Sequence, residues 1–181
     1  FIAHTKEMGA DEKRAATALF TDLDPADLAD GAFDEKLFHE AYTVVGEKRF
    51  DLFYKAARYI GNSNYHSRAR RFADTALGKI DEETITEQIH SKRNKDAVCS
   101  LGLLPDKSDK ALQRRYQLIQ AFLKESKQYG AQRQASEKRV CEIALLNLSR
   151  GAGYADPMQL TWRMESQQVT DNAAYLQGIN V

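Results

Sequence analysis

Apolar residues recur at steps of three and four along most of this chain, and no long segment alternates with a period of two. Phe50, Phe53, Ala57 and Ile60 form one such stripe, and Leu112, Tyr116, Ile119 and Leu123 form another. A helix buries a stripe of that spacing on one face; a strand cannot. The pattern predicts an all-α fold, with helices over 10–22, 34–45, 47–60, 63–77, 82–93, 95–102, 108–129, 132–150 and 157–168.

The breaker residues agree with this division. Asp24-Pro25 and Asp156-Pro157 each set a capping carboxylate before a proline suited to the first helical turn, so a helical segment should begin at both. Asp34 and Asp81 read as further N-caps, and Gly46, Gly61, Gly78 and Gly130 as left-handed helix ends. Ser108 to Tyr129 and Ala131 to Arg150, joined at Gly130, read as a helical hairpin. Its second arm is apolar around most of its circumference from Val140 to Leu148, which a helix tolerates only when neighbours cover it on several sides. That arm is the expected central helix.

No consensus repeats at a period of 30 to 50 residues, although hairpin lengths recur. The expected architecture is therefore stacked antiparallel helical hairpins, a HEAT-like or irregular helical array, over residues 1–168. Residues 169–181 read as a linker and the start of a following module: Thr170-Asp171-Asn172 as a turn, then a short strand-like C-terminal tail from Tyr175 to Val181. The start at Phe1 and this tail give the expectation that the chain is a piece of a longer protein.

Composition limits the function classes. With 26 Lys+Arg against 26 Asp+Glu the formal net charge is zero, which removes the bulk electrostatic case for a nucleic-acid or anionic-membrane binder. No stretch approaches the roughly 18 consecutive apolar residues of a membrane span, so no membrane partner is expected. Two cysteines, Cys99 and Cys141, suit a cytoplasmic protein better than a disulfide-built one.

Catalytic and metal-binding patterns are incomplete. His4, His39, His66 and His90 are scattered, and no His or Cys pair has zinc-site spacing. Glu87 and His90 stand one turn apart, half of what a di-iron bundle uses, without a second Glu-x-x-His; Glu35 and His39 fare no better. There is no nucleophile elbow, no glycine-rich phosphate loop, and both cysteines sit among apolar neighbours. Gly151-Ala152-Gly153 reads as a flexible helix exit. No catalytic residue, metal or cofactor is expected.

Charge is distributed unevenly. Residues 1–60 carry a balance of −4 and 61–181 a balance of +4, and 107–139 alone hold nine basic against three acidic side chains. Arg114, Arg115, Lys124, Lys127 and Arg133 fall there; Arg68, Arg70 and Arg71 form a second cluster, and Tyr65, Tyr116 and Tyr129 are interspersed. These eight cations are candidate contacts to a nucleic-acid backbone or an acidic partner. The plainer account is a solvated face that pairs with the acidic N-terminal region. Phe122 to Glu137 crowds long polar side chains around the hairpin turn, and Gln, Arg and Ser there either build a polar network or cover an exposed apex.

The stretch Leu123 to Glu137, then Ile143-Ala144-Leu145-Leu146-Asn147-Leu148, Ala152-Gly153-Tyr154-Ala155-Asp156 and Leu160-Thr161-Trp162-Arg163-Met164-Glu165, resembles a segment of the large MolR-like bacterial proteins. Ala57-Arg58-Tyr59-Ile60-Gly61-Asn62-Ser63 and Ser91-Lys92-Arg93-Asn94-Lys95-Asp96 fit the same family, so the likeness covers 50–181. Those proteins are long, largely helical and HEAT-like; some carry a WGR domain, and their biochemical function is not established. The resemblance implies that more protein follows Val181 and that the tail belongs to the next module. It implies no catalytic residues.

The reading that follows is a non-catalytic helical scaffold whose surfaces bind other domains of the parent protein or a protein partner. The alternative is a nucleic-acid-binding module using the eight cations. Regulation of a distant enzymatic module by bending shares every sequence feature with the first.

Overall fold

The structure, a computed structural model, describes residues 8–56, 59 and 63–178. Among the described residues are ten α-helices and no strand: α1 (Ala10–Ala18), α2 (Pro25–Asp30), α3 (Glu35–Val45), α4 (Glu47–Ala56), α5 (Ser63–Ala76), α6 (Glu82–Lys92), α7 (Lys95–Ser100), α8 (Asp109–Ser126), α9 (Ala131–Gly151) and α10 (Pro157–Gly178). The chain is an all-α helical array, as the three-and-four spacing predicts.

Caps explain most starts. Asp24, Asp34 and Asp81 accept from the backbone N–H of Ala26, Leu37 and Thr84, and Asp156 accepts from that of Gln159. Asp24-Pro25 thus opens α2, a six-residue helix too short to show a periodicity of its own. Gly78 has the positive φ expected of it, 69°; Gly46 has φ 77° but ψ 152°, which is outside the left-handed helical region, and Gly61 lies outside the described residues. Gly130 does not adopt a positive φ. It has φ −65° and ψ 158° and caps the start of α9, because α8 has already closed at Ser126 through 3₁₀-type bonds over Lys127–Tyr129.

Two further expectations are corrected. The helix expected over 95–102 ends at Ser100 and tightens into a 3₁₀ turn, Leu101–Leu103, that lies flat on α9. A Cβ on Gly102 would collide with the main chain of Asn147 and Leu148, so only glycine permits this approach. The turn at Thr170–Asn172 and the strand from Tyr175 are replaced by unbroken helix to Gly178, crossing the expected boundary at 168/169; Ile179–Val181 lie outside the described residues. No glycine or proline interrupts 158–177, Ala173, Ala174 and Leu176 are good helix formers, and Thr170 returns its hydroxyl to the carbonyl of Ser166.

The central position expected of the second hairpin arm is observed: α9 packs against α2, α7, α8, α10 and the 3₁₀ turn. Two apolar clusters form on either side of it. One joins Ile85, Ile89, Val98, Leu101, Leu112, Ile119, Phe122, Cys141, Ala144, Leu148, Leu160 and Met164; the other joins Leu23, Phe38, Phe72, Ala76, Cys99, Leu103 and Ile143.

Candidate functional site

The crowded polar hairpin is a network, and Arg93 is its hub. Arg93 ends α6 with φ 47°, the one described non-glycine residue in the left-handed region. Its guanidinium grips both carboxylate oxygens of Glu137 at 3.2 and 2.7 Å, donates to Glu125 at 2.6 Å and to the carbonyl of Phe122 at 2.9 Å, and lies 4.1 Å from the Phe122 ring centroid. Such a backbone costs on the order of 1 kcal/mol for a residue with a Cβ, which four charge-assisted bonds readily offset. Arg133 donates to the same Glu137 at 2.8 Å and stacks 3.6 Å from the centre of the Tyr129 ring. Glu137 is fully buried. Burial pushes its carboxyl up, but the hydrogen bonds from Arg93 and Arg133 and their charges outweigh that and hold it below the ordinary glutamate range.

Two more polar struts cross the array. Arg115, 2% exposed, clamps Glu82 of α6 through Nε at 2.9 Å and Nη2 at 2.8 Å, and donates to the carbonyl of Asp106 at 2.6 Å. Asn147 of α9 accepts from the N–H of Phe33 at 2.9 Å and donates to the carbonyls of Gly31 and Cys99 at 3.0 and 2.9 Å. One buried amide therefore fastens the α2–α3 loop and α7 to the central helix. Nearby, Lys107 donates to Glu35 at 2.9 Å and to the carbonyl of Gly102 at 2.6 Å; burial lowers its pKa and the Glu35 hydrogen bond and charge only partly restore it.

The structure does not gather the eight candidate cations into one free patch. Arg115 is in the core, and Arg114 pairs with Glu82 at 3.2 Å from an exposed position. Arg68 pairs with Asp96 at 2.7 Å and donates to the carbonyl of Ala29. Arg70 stacks 4.1 Å from the Tyr54 ring centroid, and Arg71 donates to the side-chain oxygen of Gln88. Arg133 is bound to Glu137. Lys124 and Lys127 are exposed at the C-terminal end of α8. Of the interspersed tyrosines, Tyr116 is buried and donates to Glu165, Tyr129 carries Arg133, and the Tyr65 side chain lies outside what is described.

Much of the charge asymmetry is met inside the molecule, as its plainer account holds. Arg139 of α9 pairs with Asp27 and Asp30 of α2 at 2.7 Å each, Arg150 with Asp22 at 2.7 Å, and Lys107 with Glu35. Spacing within the chain could not assign these partners, which lie more than 70 residues apart; only the opposite sign of the two regions pointed to them.

Cys99 and Cys141 are buried, and loss of water pushes each thiol up to about 12, far from a nucleophilic thiolate. Among the described residues no three of His, Cys, Asp and Glu are grouped to hold a metal ion. Glu87 and His90 line a shallow groove with Glu82, Glu83 and Arg114, and Glu82 there is already held by two arginines. Glu35 lies 3.9 Å from His39 but is taken by Lys107. Between α2, α3 and α5 an apolar groove of about 400 Å³ is floored by Phe33, Phe38 and Phe72.

A family model of a family of unknown function, DUF5724, matches residues 1–164, which is nearly the whole array. The chain belongs to that family. The match takes in α1 to α9 and ends inside α10, so the DUF5724 region contains all three polar struts. No curated protein and no solved structure matches the chain. Membership in DUF5724 carries no assigned reaction, and no helix among the described residues is long and apolar enough to cross a membrane.

Proposed function

We propose that the chain is a non-catalytic, HEAT-like helical scaffold segment of a larger cytoplasmic bacterial protein of the MolR-like kind, and that it holds other domains or a protein partner against its outer helices. The observation that carries this reading is the row Met158, Trp162 and Val169 on α10, four and seven residues apart and 60%, 63% and 68% exposed. Opposite that row, Leu160 and Met164 seal α10 to the array. An edge helix with apolar side chains on both faces is what a stack presents where a further helical layer packs. The buried charges support the same reading, since Arg93, Glu137, Arg115 and Glu82 are occupied in joining one helix to the next.

A photo-crosslinking residue placed at Trp162, with the same residue at exposed Glu142 as control, tests this in cells. A discrete protein adduct at 162 and none at 142 is the expected outcome. Turnover of generic ester or phosphate substrates that a single substitution abolishes would contradict the reading.

Nucleic-acid contact is the second reading, and its support lies at the α8–α9 turn, where exposed Lys124 and Lys127 neighbour the Arg133–Tyr129 stack. It predicts an affinity for single-stranded oligonucleotides that falls steeply with salt, because each phosphate contact releases counterions. Binding no tighter than that of a charge-matched control protein at low salt removes it.

A further inference from the structure

Five half-buried or buried arginines, Arg68, Arg93, Arg115, Arg139 and Arg150, each have a carboxylate within 2.8 Å. Arg70 and Arg71 break the pattern. Both are half-buried on α5, and among the described residues neither has a carboxylate at ion-pair distance. Arg71 spends one N–H on the neutral amide of Gln88, and Arg70 lies over the Tyr54 ring, 4.1 Å from its centre, so the partner of each is neutral. A partly desolvated guanidinium without an anion is a costly arrangement, and an anion supplied from outside relieves it.

Both arginines line the same cavity, about 340 Å³, between α4, α5 and α6. His66 lines it too, one turn before Arg70, and its Nε2 is buried with no hydrogen-bond partner among the described residues. Among the described residues Asp74 is the one carboxylate in the lining, and it is engaged by the Tyr54 hydroxyl. Lys79 adds a cation 6.0 Å from the centre of that same ring. Three donors of fixed position, two of them charged and one left unsatisfied, face a space with room for a phosphate and the small group that carries it. Ser67, Ile80, Thr84 and Gln88 complete the described wall.

We propose that this cavity binds the phosphate group of a small molecule, free or esterified, with Arg70 and Arg71 as charge partners and the Nε2–H of His66 as the third donor. Arginine forks match phosphate oxygens geometrically, and the stacking of Arg70 on Tyr54 orients its fork before the ligand arrives. The site is separate from the Arg93–Glu137 network and from the outer face of α10, and it uses two of the eight cations in a role unlike backbone contact.

Calorimetric titration of the full chain with inorganic phosphate, phosphoserine and adenosine monophosphate, at ionic strength held constant with sodium chloride, tests the proposal. Saturable binding is expected. Tighter binding of the monoesters identifies an esterified ligand, and equal binding identifies free phosphate. Arg70→Gln, Arg71→Gln and His66→Gln should each weaken binding by about tenfold or more, the usual loss when a charge-assisted hydrogen bond is removed. Arg163→Gln, an exposed change on α10, should leave it intact. The wild-type result stands even if a variant fails to fold. Absence of saturable heat with all three ligands, or undiminished binding by a folded Arg70→Gln/Arg71→Gln double variant, overturns the proposal. So does a single-stranded oligonucleotide that binds at these residues while monophosphates fail to compete.

Discussion

The two cores that share α9 are built differently. On one side, between α6, α7, α8 and α10, aliphatic side chains mesh closely, and Ile85, Leu101, Ile119, Leu148 and Leu160 are wholly sealed. On the other, between α2, α3 and α5, rings meet edge-on or tilted: Phe33 with Phe38 at 5.2 Å and with Phe72 at 5.8 Å. Those rings leave an open groove beside them, and neither α2 nor α4 contributes a fully buried side chain.

Electrostatics follows the same divide. The aliphatic core carries its ion pairs inside, where loss of one partner strands a charge. The aromatic side is tied to α9 by partly exposed pairs, Arg139 with Asp27 and Asp30 and Arg150 with Asp22, which are worth little individually. One central helix thus carries a tightly sealed half and a loosely fastened half. Asn147 is the buried hydrogen-bonding side chain that joins both.

The largest effect should come from stranding the hub. Glu137→Ala leaves the Arg93 guanidinium, 13% exposed, without its main partner, and should lower unfolding free energy by about 3–5 kcal/mol in urea denaturation. If the two cores differ as described, cavity-forming changes should differ too. Leu148→Ala in the sealed core should cost about 3–4 kcal/mol, whereas Phe38→Ala, which enlarges a groove already present, should cost about 2 kcal/mol. Equal losses would erase the distinction.

Acid sharpens it further. Because the Glu137 carboxyl titrates below the ordinary glutamate value of 4.5, its stabilisation is complete above that value and is lost as pH falls through the lower, folded-state value. The stability difference between wild type and Glu137→Gln should therefore narrow below pH 4.5 in denaturation curves taken across the acid range. The smallest effect is expected at the loose tether: Arg139→Gln should cost about 0.5–1 kcal/mol at low salt and less at high salt.

Helix content was legible because caps and periodicity are local. Asp24-Pro25, Asp34, Asp81 and Asp156 read directly from the sequence as starts, and the all-round apolar run from Val140 to Leu148 marked the central helix. The C-terminal tail misled, because β-branched residues at Ile179 and Val181 coloured a segment whose preceding alanines and leucine sustain a helix. The polar network was legible from the crowding between Phe122 and Glu137, but its hub was not: Arg93 lies 44 residues before Glu137, and no local signal joins them. The reach of Arg115 was hidden for a related reason. A charge run looks the same in sequence whether its members face water or, as here, one of them closes on a glutamate 33 residues earlier.

Native-state hydrogen exchange followed by mass spectrometry measures the division most directly. Amides of α7, α8 and α9 should exchange only through global unfolding, while those of α2, α3 and α4 open at lower free energy, and Asn147→Ala should widen that gap by loosening the α2–α3 loop. If α2–α4 are protected as strongly as α9, or Asn147→Ala leaves their exchange unchanged, the two halves are one cooperative unit and the account is wrong.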